Sequence, residues 1–197
     1  MTARITPAAL GKQLTHRPSI VGRAYDSTRK DRQMTNLMNL LEQLAVPFAP
    51  AAITWKPGTA KDDRCLAMAY ADLRAYQERL DELCGFDWSV RYVAWGESRI
   101  MCELTICGVT RASTGEYDAQ DAKNGMGGTV AEAQAFKRAA AMFGLGRYLY
   151  ELPSVWVGYD AQARKISKAG QDELARRYAA WYAREMAALK PAAKVVA

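Results

Sequence analysis

The chain has 197 residues, half of them hydrophobic and 24% charged, a globular composition with enough apolar material to close a core. No stretch is long and apolar enough for a membrane span, and the Met-Thr-Ala-Arg start leads into no apolar run, so neither a span nor a secretory leader is expected and the protein reads as cytoplasmic. The formal charge of +6 is unevenly spread: residues 1–33 carry seven Lys/Arg against two Asp/Glu, residues 161–197 eight against three, and the centre twelve against sixteen. Basic ends thus flank a mildly acidic middle, and the overall charge alone does not argue for a polyanionic partner.

Cys65, Cys84, Cys102 and Cys107 stand among apolar neighbours with no CxxC pair, which predicts buried reduced thiols rather than a disulfide framework. The single histidine, His16, lies in a polar segment, so neither a zinc site nor a His-dependent nucleophile is expected, and no cofactor is implied.

In chain order, residues 1–33 read as a flexible basic arm. Met34–Leu44 has apolar residues at helical spacing, stopped by Pro47 and Pro50. Ile53–Trp55 and Cys65–Tyr70 suit short strands. Asp72 reads as an N-cap to a helix whose face is Leu73, Tyr76, Leu80 and Leu83, closed by Gly85. The period then changes to two: Trp88–Ala94, Ile100–Ile106 and Val109–Tyr117 alternate between short turns, which predicts an antiparallel meander. After a loop over 118–128, Thr129 and Glu132 form a capping-box signature for a helix over Val130–Phe143. Val155–Val157 suits another short strand, and a last helix runs from about Gln162 to Leu189.

The fold expected is α+β: a three-stranded antiparallel meander packed on a helix, with flanking short strands and a C-terminal helix. Three segments follow: the arm 1–33, a core over 34–160, and a terminal helix and tail over 161–197.

Three motifs bear on chemistry. The glycines at 125–128 precede a helix without the Gly-Lys-Ser/Thr of a phosphate loop. Glu116, Asp118 and Asp121 offer carboxylates that could hold Mg²⁺ in a nuclease, the alternative enzymatic reading. On a helical wheel Ala133, Phe136, Ala140 and Phe143 fall in one arc, leaving Lys137 at its margin and Arg138 outside it. This predicts two adjacent cations on the non-core side, suited to phosphates. Arg91, Tyr92, Arg99 and Arg111 on the meander add cations and an aromatic of the kind that line single-strand grooves.

Several runs carry a resemblance. Trp55-Lys56-Pro57, Ala69-Tyr70, Arg79-Leu80-Asp81-Glu82, Gly85 and Trp88 form one set. Ala135-Phe136-Lys137-Arg138-Ala139-Ala140, Phe143-Gly144, Gly146-Arg147-Tyr148-Leu149-Tyr150 and Leu152-Pro153 form another. Over about residues 46 to 160 the chain resembles the DNA-damage-response protein A (DdrA) family, itself similar to the Rad fifty-two superfamily of single-strand annealing proteins.

The resemblance implies a β-β-β-α core that assembles into homo-oligomeric rings, with DNA in a groove, its backbone inward and its bases displayed. It places Lys137 and Arg138 as a groove-lining basic pair and Tyr70 at the groove tyrosine. A further superfamily cation falls at Ala141, with Arg147 as a substitute, and Lys123 is the candidate for an outer site. The expected function is therefore binding and annealing of single-stranded DNA, with end protection, in strand-break repair, without ATP or catalysis. A scaffold recruiting a protein partner through the C-terminal helix is a further alternative.

Overall fold

The structure, a computed structural model, describes residues 27–189, with side chains from residue 35. Most of the expected arm, with His16, and the last eight residues lie outside it. The chain is α+β, built on two antiparallel sheets.

Helix α1 (Ser27–Ala45) starts seven residues before the apolar stretch that announced it, so residues 27–33, expected in the arm, are helical. It ends where Pro47 cannot continue it. Strands β1 (Ile53–Lys61) and β2 (Arg64–Ala71) pair as a hairpin whose register shifts between Pro57 and Ala60. Helix α2 (Leu73–Cys84) follows directly. The Asp72 carboxylate accepts from the Arg74 amide, and Gly85 closes the helix at φ 55°, as the sequence predicted.

The meander is β3 (Trp88–Ala94), β4 (Arg99–Ile106) and β5 (Val109–Glu116), paired in that order. Ile106 opposite Val109 leaves a two-residue turn, Cys107 at φ 49° and Gly108 at φ 78°. Both lie in the left-handed region, which matches the twist of the flanking strands. Cys107 is therefore exposed and Cys84 half-buried, so only Cys65 and Cys102 meet the expectation of buried thiols; all four are free.

The loop expected over 118–128 contains a short helix, α3 (Ala119–Lys123), and the capping box belongs there. Asp118 accepts from the amides of Gln120 and Asp121, and Asp121 reaches back to the Asp118 amide. Helix α4 (Gly127–Met142) starts earlier than Thr129 predicted and has no side-chain cap. Gly127 is buried against Tyr117, whose ring would stand 2.8 Å from an added Cβ.

A single-turn 3-10 segment, Arg147–Tyr150, leads to β6 (Val155–Asp160) and the two-residue β7 (Lys165–Ile166). These complete a second sheet ordered β1-β2-β6-β7. Helix α5 (Lys168–Leu189) closes the chain.

Two cores result. Phe136, Ala139 and Ala140 of α4 and Phe143 at its end join Leu104 and Ile106 of β4, Tyr76 and Leu80 of α2, Leu44 of α1 and Phe48 just after α1 in one apolar cluster. Cys65, Ala67, Val157, Ile166 and Leu174 form the other, between the second sheet and α5. The Phe48 backbone joins the α5 side to the larger core. Its amide donates to the Tyr148 hydroxyl at 3.0 Å and its carbonyl accepts from the Tyr178 hydroxyl at 2.7 Å. Trp181 stacks on Tyr148 at 5.3 Å. Part of the aromatic face of α5 thus packs on this chain.

Candidate nucleic-acid interface

Lys56 and Tyr70 come from neighbouring strands. Thr54 faces Tyr70 and Lys56 faces Met68 across the β1–β2 pair. With a side-chain period of two, Lys56 and Tyr70 therefore share a face as diagonal neighbours. The Lys56 ammonium lies 3.6 Å from the centre of the Tyr70 ring.

Helix α4 brings a second cation to the same ring. Lys137 Nζ is also 3.6 Å from the Tyr70 centroid, and 5.8 Å from that of Tyr76 on α2. Lys137 is 9% exposed and its Nζ has no hydrogen-bond partner among the described residues. An ammonium has three donors to satisfy, and the ring faces supply a quadrupole in place of an acceptor. No carboxylate is in ion-pair contact with Lys56 or Lys137 among the described residues. Burial pulls the Lys137 pKa down to about 8; Asp72 works against that shift and Lys56 adds to it. The arrangement concentrates positive charge around a ring and leaves a donor group unsatisfied.

The sequence placed Lys137 and Arg138 side by side on the non-core side of the helix, and the structure corrects this. Lys137 turns inward to Tyr70, while Arg138 turns the other way and donates from Nη1 to the Thr114 carbonyl of β5 at 2.9 Å. One turn earlier, Gln134 accepts from the Glu116 amide of that strand at 2.8 Å. The wheel missed the split because α4 is buried on more than one side: Ala131, Ala135 and Ala139 are buried as fully as Phe136. Two elements therefore compete for consecutive residues.

The other predicted residues lie elsewhere. Arg91 pairs with Glu103 at 2.6 Å and Arg99 with Glu116 at 3.0 Å, both as cross-strand neighbours in the meander. Tyr92 packs against the larger core, and burial, with Glu132 nearby, pushes its hydroxyl pKa up. Arg111 lies 4.7 Å from the Phe143 ring and donates to the Met142 carbonyl. Arg147 donates to Ala141 and Met142 at 2.8 and 2.9 Å. These two arginines supply donors and positive charge where α4 leaves its last carbonyls open. Lys123 is exposed at the end of α3. The nuclease carboxylates have local roles: Glu116 holds Arg99, and Asp118 and Asp121 cap α3.

The chain's sequence matches the family described as Rad52/22 family double-strand break repair protein over residues 36–167. The chain belongs to that family. As a Rad52/22 family member it is 38% identical over 148 residues to the single-stranded DNA-binding protein DdrA of Deinococcus deserti, covering 71% of each chain. It is 38% identical over 134 residues to the protein of the same name from Deinococcus radiodurans, covering 65% of this chain and 62% of that one. No solved structure matches it. The match spans β1, β2 and α4, and so all three members of the Lys56–Tyr70–Lys137 group.

Lys56 is the member of the group that sequence reasoning missed. It stood in the Trp55-Lys56-Pro57 run that carried the resemblance, but its role depends on strand register. A hairpin pairing Thr54 with Tyr70 would have exposed it.

Proposed function

We propose that this chain binds single-stranded DNA by its phosphate backbone at Lys56, Tyr70 and Lys137, and that it anneals complementary strands in break repair. The observation that carries the reading is the buried Lys137 ammonium, without a hydrogen-bond partner among the described residues, beside a second cation on one ring. A buried cation without an acceptor is a cost to folding. It makes sense where an anionic ligand supplies the acceptor. Phosphodiester oxygens have that chemistry, and backbone contact leaves base edges free for a second strand. Family membership and the DNA-binding names of the two Deinococcus relatives support the same ligand.

The mechanism is ATP-independent and needs no bond-making by the protein. The cations hold phosphates, and complementarity supplies sequence recognition. Protection of DNA ends follows from the same interactions. A homo-oligomeric ring would repeat them along a strand, and modest attractions would then add through effective concentration. Arg138 belongs to the proposal only as a flanking residue, since its guanidinium is engaged with Thr114. Arg91, Tyr92, Arg99, Arg111, Lys123 and Arg147 fall outside it.

The test is a Lys56→Ala, Lys137→Met double variant, assayed by fluorescence anisotropy on a labelled single strand and by an annealing assay. Affinity should fall at least tenfold, on the order of 1.4 kcal/mol. The dependence of log K on log salt should flatten by about 0.7 for each phosphate that the variant no longer neutralises. A folded double variant that binds and anneals like the parent would remove the site.

A further inference from the structure

We propose that single-stranded DNA binds this chain together with a proton, taken up by the Lys137 amine as a phosphodiester reaches the Lys56–Tyr70–Lys137 group. The inference rests on the DNA-binding reading above and adds a regulation to it.

The geometry supplies the coupling. Lys137 Nζ is out of water and has no hydrogen-bond acceptor among the described residues. The groups around it come from three other elements. Lys56 on β1 shares the Tyr70 ring with it and repels its charge. Tyr70 on β2 and Tyr76 on α2 offer ring faces. Asp72, at the start of α2, is the one acid acting on it among the described residues, and that carboxylate is already turned to the Arg74 amide and side chain. Arg138, its neighbour on α4, is turned away to β5.

Burial, with a smaller push from Lys56, weighs against the ammonium more than Asp72 supports it, and pulls the free-site pKa down to about 8. A phosphodiester oxygen brings both an acceptor and a negative charge, so the bound site favours the ammonium. The free and bound states therefore hold different numbers of protons, and affinity must depend on pH. The sign follows. Below the free-site value the ammonium is already present and pH has little effect. As pH rises through that value, binding must first protonate the amine and affinity falls. Tyr76 does not take part in this range, because burial pushes its hydroxyl upward.

The experiment is calorimetric titration of oligothymidylate into the full chain, in Hepes and in Tris at matched salt and pH. These buffers differ in ionisation heat, so proton uptake appears as a difference in observed enthalpy. Near pH 8 about half a proton should enter per occupied site, since half the free amines are then neutral. At about pH 6 uptake should vanish. Lys137→Met should bind more weakly with no uptake near pH 8. Lys137→Arg, whose guanidinium stays charged, should bind with no uptake and with an affinity flat from about pH 7 to 9. Equal heats in the two buffers near pH 8 for the unaltered chain would overturn the proton coupling while leaving DNA binding intact. Uptake that persists in both variants would assign the proton to another group and equally overturn it. Absence of DNA binding at about pH 6 and low salt would overturn the functional reading itself, and this inference with it.

Discussion

Replacing Lys137 by Met removes an ammonium from between Tyr70, Tyr76 and Lys56 and leaves an apolar side chain of comparable reach among the rings. If the charge serves binding rather than folding, its removal costs no stability. The folded-state pKa of about 8 lies below the ordinary 10.5, so between those values the unfolded chain holds more protons than the folded one. Unfolding free energy therefore rises with pH across that window, and the penalty of the charged form is fully present below it. Urea denaturation near pH 7 should show the Met variant at least as stable as the parent. The parent should gain on the variant as pH is raised towards about 10. Parallel stability curves for the two proteins would show that the amine is not held out of water.

At the scale of elements, α4 presses close on β5, and small residues make the approach possible. A Cβ added to Gly115 would stand 2.0 Å from the Ala131 carbonyl oxygen and 2.5 Å from the Ala135 amide nitrogen, both backbone atoms that a side-chain rotation cannot move. Gly115→Ala should therefore force the helix off the strand and destabilise by about 1–3 kcal/mol or more. Gly128 lies in the first turn of the same helix with nothing within 4 Å of such a Cβ. Gly128→Ala should be neutral or stabilising by up to about 1 kcal/mol. The two midpoints from one denaturation series decide it; equal effects at both positions would mean that the approach is not tight. The same closeness explains the placement of Lys137 and Arg138. A helix packed against β4 and β5 on one flank and α2 on another has little solvated face, and consecutive side chains leave it in opposite directions. Arg138 and Gln134 then satisfy Thr114 and Glu116 on the open edge of β5, which covers that stretch against pairing with another chain.

At the scale of the whole molecule, one Lys56–Tyr70–Lys137 group is a small electrostatic site on a chain whose centre carries more acids than bases. Strong retention of a strand then needs repetition. The edge of β3 away from β4 pairs with no strand among the described residues. The chain should sediment as an oligomer. A strand long enough to cross several subunits should bind at least 100-fold more tightly than one that spans a single site, at equal salt. A monomer that binds short and long strands alike would restrict the protein to one site per chain.

Local chemistry made much of the architecture readable in advance. Period-two alternation from Trp88 to Glu116 marked β3, β4 and β5, and Asp72 with Gly85 marked both ends of α2, because these signals act within a few residues. The run around Lys137 likewise pointed to the family before any coordinate did. Three features were decided only by tertiary structure. Capping moved from Thr129 to Asp118, because Gly127 meets Tyr117 and α4 begins earlier. The aromatic face of α5 closed on Tyr148 and Phe48 rather than remaining free. Lys56, eighty-one residues before Lys137, came to the same ring. Sequence alone determined which residues could form helices, strands and turns and which family they signal, since those depend on neighbours along the chain. Strand register and helix packing decided which cations meet, since that depends on neighbours across it.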